Sequence, residues 1–306
     1  MQPRKLIAHG PSSLTIALPH KWVKKHSLRK GDTIHVNEET NGLLITAGPT
    51  EQKRELSVNL TSHDWPSIIS ILTSVYRRGY DEVIVQYETQ KEYQNISLAV
   101  RSLLGYAITE NRKGRCHIKC LPSELEQDFQ TLFRRVFLIL LQQLEDLQDI
   151  LMDQQALKTF YHRDADVNAI VNLAIRMINK GYIQDHFEEL HLFHALLMLE
   201  ECGDDMARFT IEASAYKDAK KMKAHVHECN KMMRMLYDAY FQKDGSIVDF
   251  YKQYYLYWPD AKKSSAPVYD LFSDARDKPV FYLRSIVEKI VQLAEILLLQ
   301  NEERKK

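Results

Sequence analysis

Glycine, cysteine and long apolar runs are all scarce in this chain. Its 306 residues hold four cysteines, too few for a secreted disulfide scaffold, so a reducing, cytoplasmic setting is expected. There are ten glycines, and the phosphate-cradling patterns GxxxxGK[ST] and GxGxxG are absent, as are GxSxG and HExxH. These absences argue against the common nucleotide-binding, α/β-hydrolase and zincin enzymes. No nucleophile–base–orienter set is legible, and no enzymatic activity is expected. Apolar runs such as Val136–Leu141 fall far short of the roughly 20 residues of a membrane span, so no membrane insertion is expected. Arg4, Lys5, Lys21, Lys24 and Lys25 interrupt any signal-peptide core near the start. What is present is a globular composition, 45% hydrophobic and 27% charged, of a length that suggests about two or three domains.

Acidic residues are missing from the first 31 positions, which carry Arg4, Lys5, Lys21, Lys24, Lys25, Arg29 and Lys30. Lys+Arg and Asp+Glu balance at 41 each, but the balance is uneven: residues 1–48 are net +4, 49–120 net +2 and 121–306 net −6. A basic head on an acidic body points to a polyanion as the head's partner.

Within 1–48, Leu14, Ile16 and Leu18 alternate as a half-buried strand that Pro19 ends. Lys21–His26 gives room for one or two helical turns. Leu28-Arg29-Lys30-Gly31-Asp32 reads as a tight turn. Ile34 and Val36 mark a second strand, and the Asn41-Gly42 turn leads into a third at Leu43–Ile45. About ten aliphatic side chains make a poor core for a unit this short, and it has no cysteine. A second copy of the unit is therefore the expected partner.

Residues 52–121 read as a βαβαββ, α+β unit. Asp64-Trp65-Pro66 starts a helix whose face is Ile68, Ile69, Leu72, Val75 and Tyr76. Cys116 and Cys120 have a poor zinc spacing; with Ile118 they fall on one face of a strand and read as buried thiols.

Residues 122–306 carry helical periodicity nearly throughout. Helices are expected at 125–160, 162–180, 185–215, 219–241, 247–257 and 280–300, six elements that suggest two three-helix bundles in tandem. Pro259 and Pro267 bracket a loop. Asp149/Asp153 and Glu200/Asp204 are i,i+4 carboxylate pairs, which repel unless a cation or a base sits between them. Glu200–Asp205 holds four carboxylates in six residues, near His191 and His194. His225 and Cys229 would share a helix face, which reads as polar packing rather than a metal pair. The run Tyr251, Tyr254, Tyr255, Tyr257, Trp258 reads as core or a dimer surface, because no basic residue beyond Lys252 interleaves with it.

Gly10-Pro11-Ser12-Ser13-Leu14-Thr15-Ile16-Ala17-Leu18-Pro19, followed by Leu28-Arg29-Lys30-Gly31-Asp32-Thr33-Ile34, resembles the AbrB/SpoVT swapped-hairpin DNA-binding domain over about 45 residues. The resemblance implies a β-rich head in which two hairpins interlock as a dimer. It makes Arg4, Lys5, Lys21, Lys24, Lys25, Arg29 and Lys30 the candidate contacts to double-stranded DNA.

Leu199-Glu200-Glu201-Cys202-Gly203-Asp204 resembles the L-E-R-I-[GA]-D signature of PhoU, the phosphate-uptake regulator. Arg163-Asp164-Ala165-Asp166-Val167-Asn168 resembles the R-D-x-x-V-D of its archaeal branch. Leu103–Glu110 fits the L-x-G-x-x-I-x-E that ends the middle segment of archaeal relatives. The resemblance covers the whole chain in order. It implies an AbrB/SpoVT-like domain at 1–48, a small α+β domain at 52–121 and a PhoU-like all-α body of two three-helix bundles at 122–306.

In that family, E/D-x-x-x-D motifs can hold metal clusters, which makes Glu200, Asp204, Asp164 and Glu288 the candidate ligands for a divalent metal. Asn168 and Gln292 stand where two acids would complete the pattern, so no tightly held cofactor is expected. The expected function is a DNA-binding transcription regulator of phosphate uptake that assembles as a homodimer or higher. A phosphate transporter or sensor component would be a further partner. The alternative is a metal- or partner-binding signalling adaptor whose head only dimerises.

Overall fold

The computed structural model describes residues 3–10, 13–39, 42–47, 53–121, 128–183, 185–215, 219–242, 250 and 277–303. The fold is mixed α/β and mostly helical, in two compact units, Met1–Gln52 and Lys53–Lys306.

In the first unit, β1 (Ile7–Ala8) pairs antiparallel with β2 (Leu14–Thr15), and the strand expected over 14–18 is only these two residues long. Pro19, extended at φ −61°, precedes α1 (His20–Lys25). Gly31 takes φ +97°, which the turn needs, and Asp32 accepts the Arg29 backbone N–H at 2.6 Å. β3 (Ile34–Glu39) and β4 (Gly42–Ala47) form an antiparallel hairpin in register from Ile34↔Ala47 to Glu39↔Gly42. Part of the Asn41-Gly42 turn signal lies outside the described residues. None of the described side chains of this unit is buried. Leu6, Ile7, Leu14, Ile16, Val36, Leu43 and Leu44 are 47–65% exposed.

The second unit opens with a four-stranded sheet of order β5-β6-β8-β7, built from β5 (Glu55–Asn59), β6 (Glu82–Gln86), β7 (Tyr106–Arg112) and β8 (Arg115–Cys120). β5 runs parallel to β6, and β8 lies between β6 and β7, antiparallel to both. The helices α2 (Trp65–Arg77) and α3 (Gln90–Arg101) share a core with the sheet that includes Ile68, Leu72, Val83, Val85, Ile96 and Ile118. Asp64 caps α2 by accepting the Ser67 N–H at 3.0 Å, and Thr89 with Glu92 forms a capping box on α3. Cys116 is buried in this core, and burial pushes its thiol up to about 11.

The helices that follow are α4 (Phe129–Ile150), α5 (Gln154–Phe160), α6 (Asp164–Asn179), α7 (His186–Ala213), α8 (Ala219–Tyr237) and α9 (Lys278–Glu303). One helix was expected over 125–160, but the chain breaks at 151–153. The Asp153 carboxylate accepts the N–H groups of Gln155 and Ala156 at 2.9 and 3.0 Å and starts α5. Asp149 and Asp153 therefore do not share a helix face: Asp149 is exposed on α4, and Asp153 is a cap. α8 ends in a π-helical turn, Asp238–Gln242. The helix expected at 247–257, the Tyr251–Trp258 run and the Pro259–Pro267 loop lie outside the described residues, apart from Phe250.

α7 packs on α6 and α9, α8 packs on α4 and α9, and α4 packs on α6. These helices share one continuous core.

Arg176 joins the two parts of this unit. It is 1% exposed on α6. Its Nη1 donates to the carbonyls of Tyr76 and Tyr80 at 2.9 and 2.8 Å, and its Nη2 donates to Asp81 Oδ1 at 2.7 Å. The guanidinium also lies over the rings of Tyr76 and Tyr106, 5.0 and 5.5 Å from their centroids. Lys180 Nζ donates to both Asp81 oxygens at 2.8 Å, and the Arg54 N–H donates to Oδ2 at 3.1 Å. Burial works against the Asp81 charge, but the bond from Lys180, the Arg54 N–H and the charges of Lys180 and Arg176 outweigh it. They hold the carboxyl below its ordinary range.

Replacing Arg176 with Met removes one of the two cations on Asp81 and the guanidinium donors to the Tyr76 and Tyr80 carbonyls, so Arg176→Met is expected to cost about 2–3 kcal/mol in urea unfolding at neutral pH. Because the folded pKa of Asp81 is lowered, its contribution is present at neutral pH. It is lost as pH falls through that lowered value. Wild type should therefore lose stability on acidification more steeply than an Asp81→Asn variant.

Candidate acidic site and basic head

The acids of Glu200–Asp205 sit on α7 where it faces α6, α9 and the C-terminal turn of α2. Each is matched by a base. Arg77, in the last turn of α2, donates from Nη2 to Glu200 Oε1 at 2.6 Å and from Nε to Asn172 Oδ1 at 2.6 Å. Its carbonyl accepts from Asn179 Nδ2 at 2.9 Å. Arg208 donates to Asp204 Oδ2 at 3.0 Å and to Asp205 Oδ1 at 2.9 Å. Lys289 of α9 donates to Asp205 Oδ2 at 2.6 Å and lies 3.7 Å from Glu201 Oε2. Asp205 is 5% exposed, so it is a buried partner of Lys289 rather than part of a solvated face.

Burial raises the Glu200 carboxyl, Arg77 opposes that shift, and the charges of Asp204 and Glu201 add to it. Burial also raises Asp164, at the start of α6, with the Asp204 charge next in importance. The fold thus gathers Asp164, Glu200 and Asp204 in one electrostatic neighbourhood. Asn168 Oδ1, one turn after Asp164, is buried and has no hydrogen-bond partner among the described residues. Glu288 instead accepts from Arg284 Nε on its own helix at 2.9 Å.

Among the described residues, no three His, Cys, Asp or Glu side chains are grouped to hold a metal ion. The donor set fits a guanidinium–carboxylate network better than a multinuclear metal site, because Arg77 and Arg208 already occupy oxygens of Glu200 and Asp204. His191 and His194 are exposed, and His191 bonds the Phe187 carbonyl. His225 is buried, and the Cys229 thiol contacts the Leu283 carbonyl at 3.5 Å.

Sequence reasoning overlooked Arg77 and Lys289, which lie 123 and 84 residues from their acids in the chain. Arg208, four residues after Asp204, was within reach of the i,i+4 rule.

The second candidate site is the head. Arg4, Lys5, Lys21, Lys24, Lys25, Arg29 and Lys30 are all exposed. Lys24 and Lys25 end α1, where cations favour the helix dipole. Among the described residues, Lys5, Lys21, Lys24, Lys25, Arg29 and Lys30 form no ion pair.

Comparison with protein-family models, curated proteins and solved structures finds no match for this chain. No described helix is long and apolar enough to cross a membrane.

Removing Arg77 leaves the Glu200 carboxyl three-quarters buried and without its base. Arg77→Met is expected to cost about 2–3 kcal/mol, and Glu200→Gln in the same chain should restore most of it. Urea unfolding of the two single variants and the double variant measures this. Purely additive losses would show that the pair is not coupled.

Proposed function

We propose that this chain is a DNA-binding transcription regulator of phosphate uptake. Its AbrB/SpoVT-like head dimerises and grips double-stranded DNA, and its PhoU-like helical body senses a signal or assembles the regulator. The observation that carries this reading is the coincidence, in the first unit, of seven exposed bases with seven exposed aliphatic side chains. A unit that buries none of its described side chains needs a partner surface to be stable. A second copy is that partner: it covers Leu6, Ile7, Leu14, Ile16, Val36, Leu43 and Leu44 and doubles the bases available to phosphates. Long basic side chains serve backbone contacts whatever the sequence.

In this reading the helical body has a PhoU-like bundle architecture: α4 packs on α6, α6 on α7 and α8 on α9, and these groups meet where α7 packs on α9 and α4 on α8. This reading uses Glu200, Asp204 and Asp205 as ion-pair partners of Arg77, Arg208 and Lys289 and calls on no metal.

Fluorescence anisotropy with duplex DNA tests the reading. If about six phosphates are contacted, affinity should fall by orders of magnitude between about 50 and 200 mM salt. Light scattering at micromolar concentration should give a dimer or larger. A monomer would overturn the assembly, and a dimer that ignores DNA would favour the adaptor whose head only dimerises.

A further inference from the structure

We propose that the tip of the β7–β8 hairpin, in the second unit, is an additional phosphate-contacting surface for duplex DNA, carried by Arg112, Lys113 and Arg115. This deepens the DNA-binding reading and rests on it.

Cys116 and Ile118 of β8 are buried against the helices, so Arg115, His117 and Lys119 fall on the opposite face of the sheet. Along this row the charge is unevenly compensated. At one end, Glu82 of β6 faces three bases: His117 at 3.1 Å, Lys119 at 3.5 Å and Lys53 at 4.0 Å. At the tip, Arg112 and Arg115 stand directly opposite each other in the β7–β8 register. Like charges so placed repel. The nearest acid is Glu110, 4.0 Å from Arg112, with the two side chains 60% and 85% exposed, and such a pair contributes little. Lys113 and Arg115 are exposed and form no ion pair among the described residues. The tip therefore keeps a surplus of positive charge that the fold does not offset.

It is also held in place. The Tyr87 hydroxyl donates to Asn111 Oδ1 at 2.6 Å and lies 3.4 Å from the Arg112 carbonyl, and the Tyr87 N–H donates to the Gly114 carbonyl at 3.0 Å. Gly114 turns the chain at φ +79°, and a Cβ there would come within 3.3 Å of the Tyr87 carbonyl. Two arginines placed opposite each other on a held backbone suit an anion with several oxygens. A phosphate backbone supplies such anions in series, and a bound phosphate would relieve the repulsion of Arg112 and Arg115.

The test compares three full-length proteins by anisotropy with a fluorescent duplex across salt concentrations: wild type, a hairpin variant (Arg112→Gln, Lys113→Gln, Arg115→Gln) and a head variant (Lys21→Gln, Lys24→Gln, Lys25→Gln). The expected result is that the hairpin variant binds at least tenfold more weakly near 100 mM salt, with a log–log slope flatter by about 0.9 for each phosphate that it no longer neutralises. Its melting temperature should match wild type, and Arg112→Lys with Arg115→Lys should retain the slope. A wild-type slope in the hairpin variant, with the head variant weakened, would overturn this inference and leave the DNA-binding reading standing. Weakening in the hairpin variant alone would support the hairpin and count against the head. A wild-type protein that does not bind duplex DNA would overturn both.

Discussion

A guanidinium out of water must find acceptors for its donors, and the second unit is organised around that need at Arg176. The side chain sits in the buried stretch Ile175-Arg176-Met177 of α6. The acceptors come from the C-terminal end of α2 and the turn beyond it: the Tyr76 and Tyr80 carbonyls and the Asp81 carboxylate. A carbonyl oxygen can accept two hydrogen bonds, and the Tyr76 carbonyl takes the guanidinium in addition to the Gly79 N–H. The result is directional, because only one placement of α2 against α6 brings all three acceptors to one fork. Gly79 completes it: its φ of +81° makes the turn, and the Lys180 side chain passes 3.0 Å from where a Cβ would stand.

The same rule shapes the acidic stretch of α7. Carboxylates at i,i+4 repel, and four in six residues would destabilise an isolated helix. Here Arg77, Arg208 and Lys289 come from α2, α7 and α9 respectively, so neutralising the acids also fixes which helices meet. Arg77 and Arg176 are neighbours in this scheme, one reaching from α2 into the helical body and the other from the body back to α2. The chain enters the second unit at the same place. The Arg54 N–H bonds Asp81, and the Arg54 guanidinium bonds the Arg78 carbonyl at 2.8 Å. The first residues after the unit boundary are thus fastened to the node that holds α2 on α6.

Much of the local structure was legible because it depends on near neighbours. Asp64-Trp65-Pro66 starts α2, Asp185 caps α7, and Gly79, Gly105 and Gly181 follow the helices that they end. The break at 151–153 was not legible, since neither glycine nor proline marks it and the cap that makes it, Asp153, looked like one half of an acid pair. The placement of β8 between β6 and β7 is likewise invisible to periodicity, which sees each strand alone. At the acidic site the acids were legible from spacing, and the bases that answer them from other helices were not. Arg176 was the hardest to see: one charged residue in an apolar helix face reads as an edge position until its three acceptors are brought to it.

The two units differ in what they can do alone. The second has a continuous helical core, a second core beneath its sheet and an ion-pair node between them, so its stability is internal. The first fully buries none of its described side chains and leaves seven aliphatic ones exposed. On the proposed reading, a partner that binds only the folded unit stabilises it by mass action, so folding of the head, its pairing with a second copy and its grip on DNA become one linked equilibrium. Seven bases packed into a small unit oppose that equilibrium by mutual repulsion, and phosphates relieve it. DNA then acts as the counter-ion that the head lacks, in the way that Asp81 and Glu200 act for the arginines of the second unit.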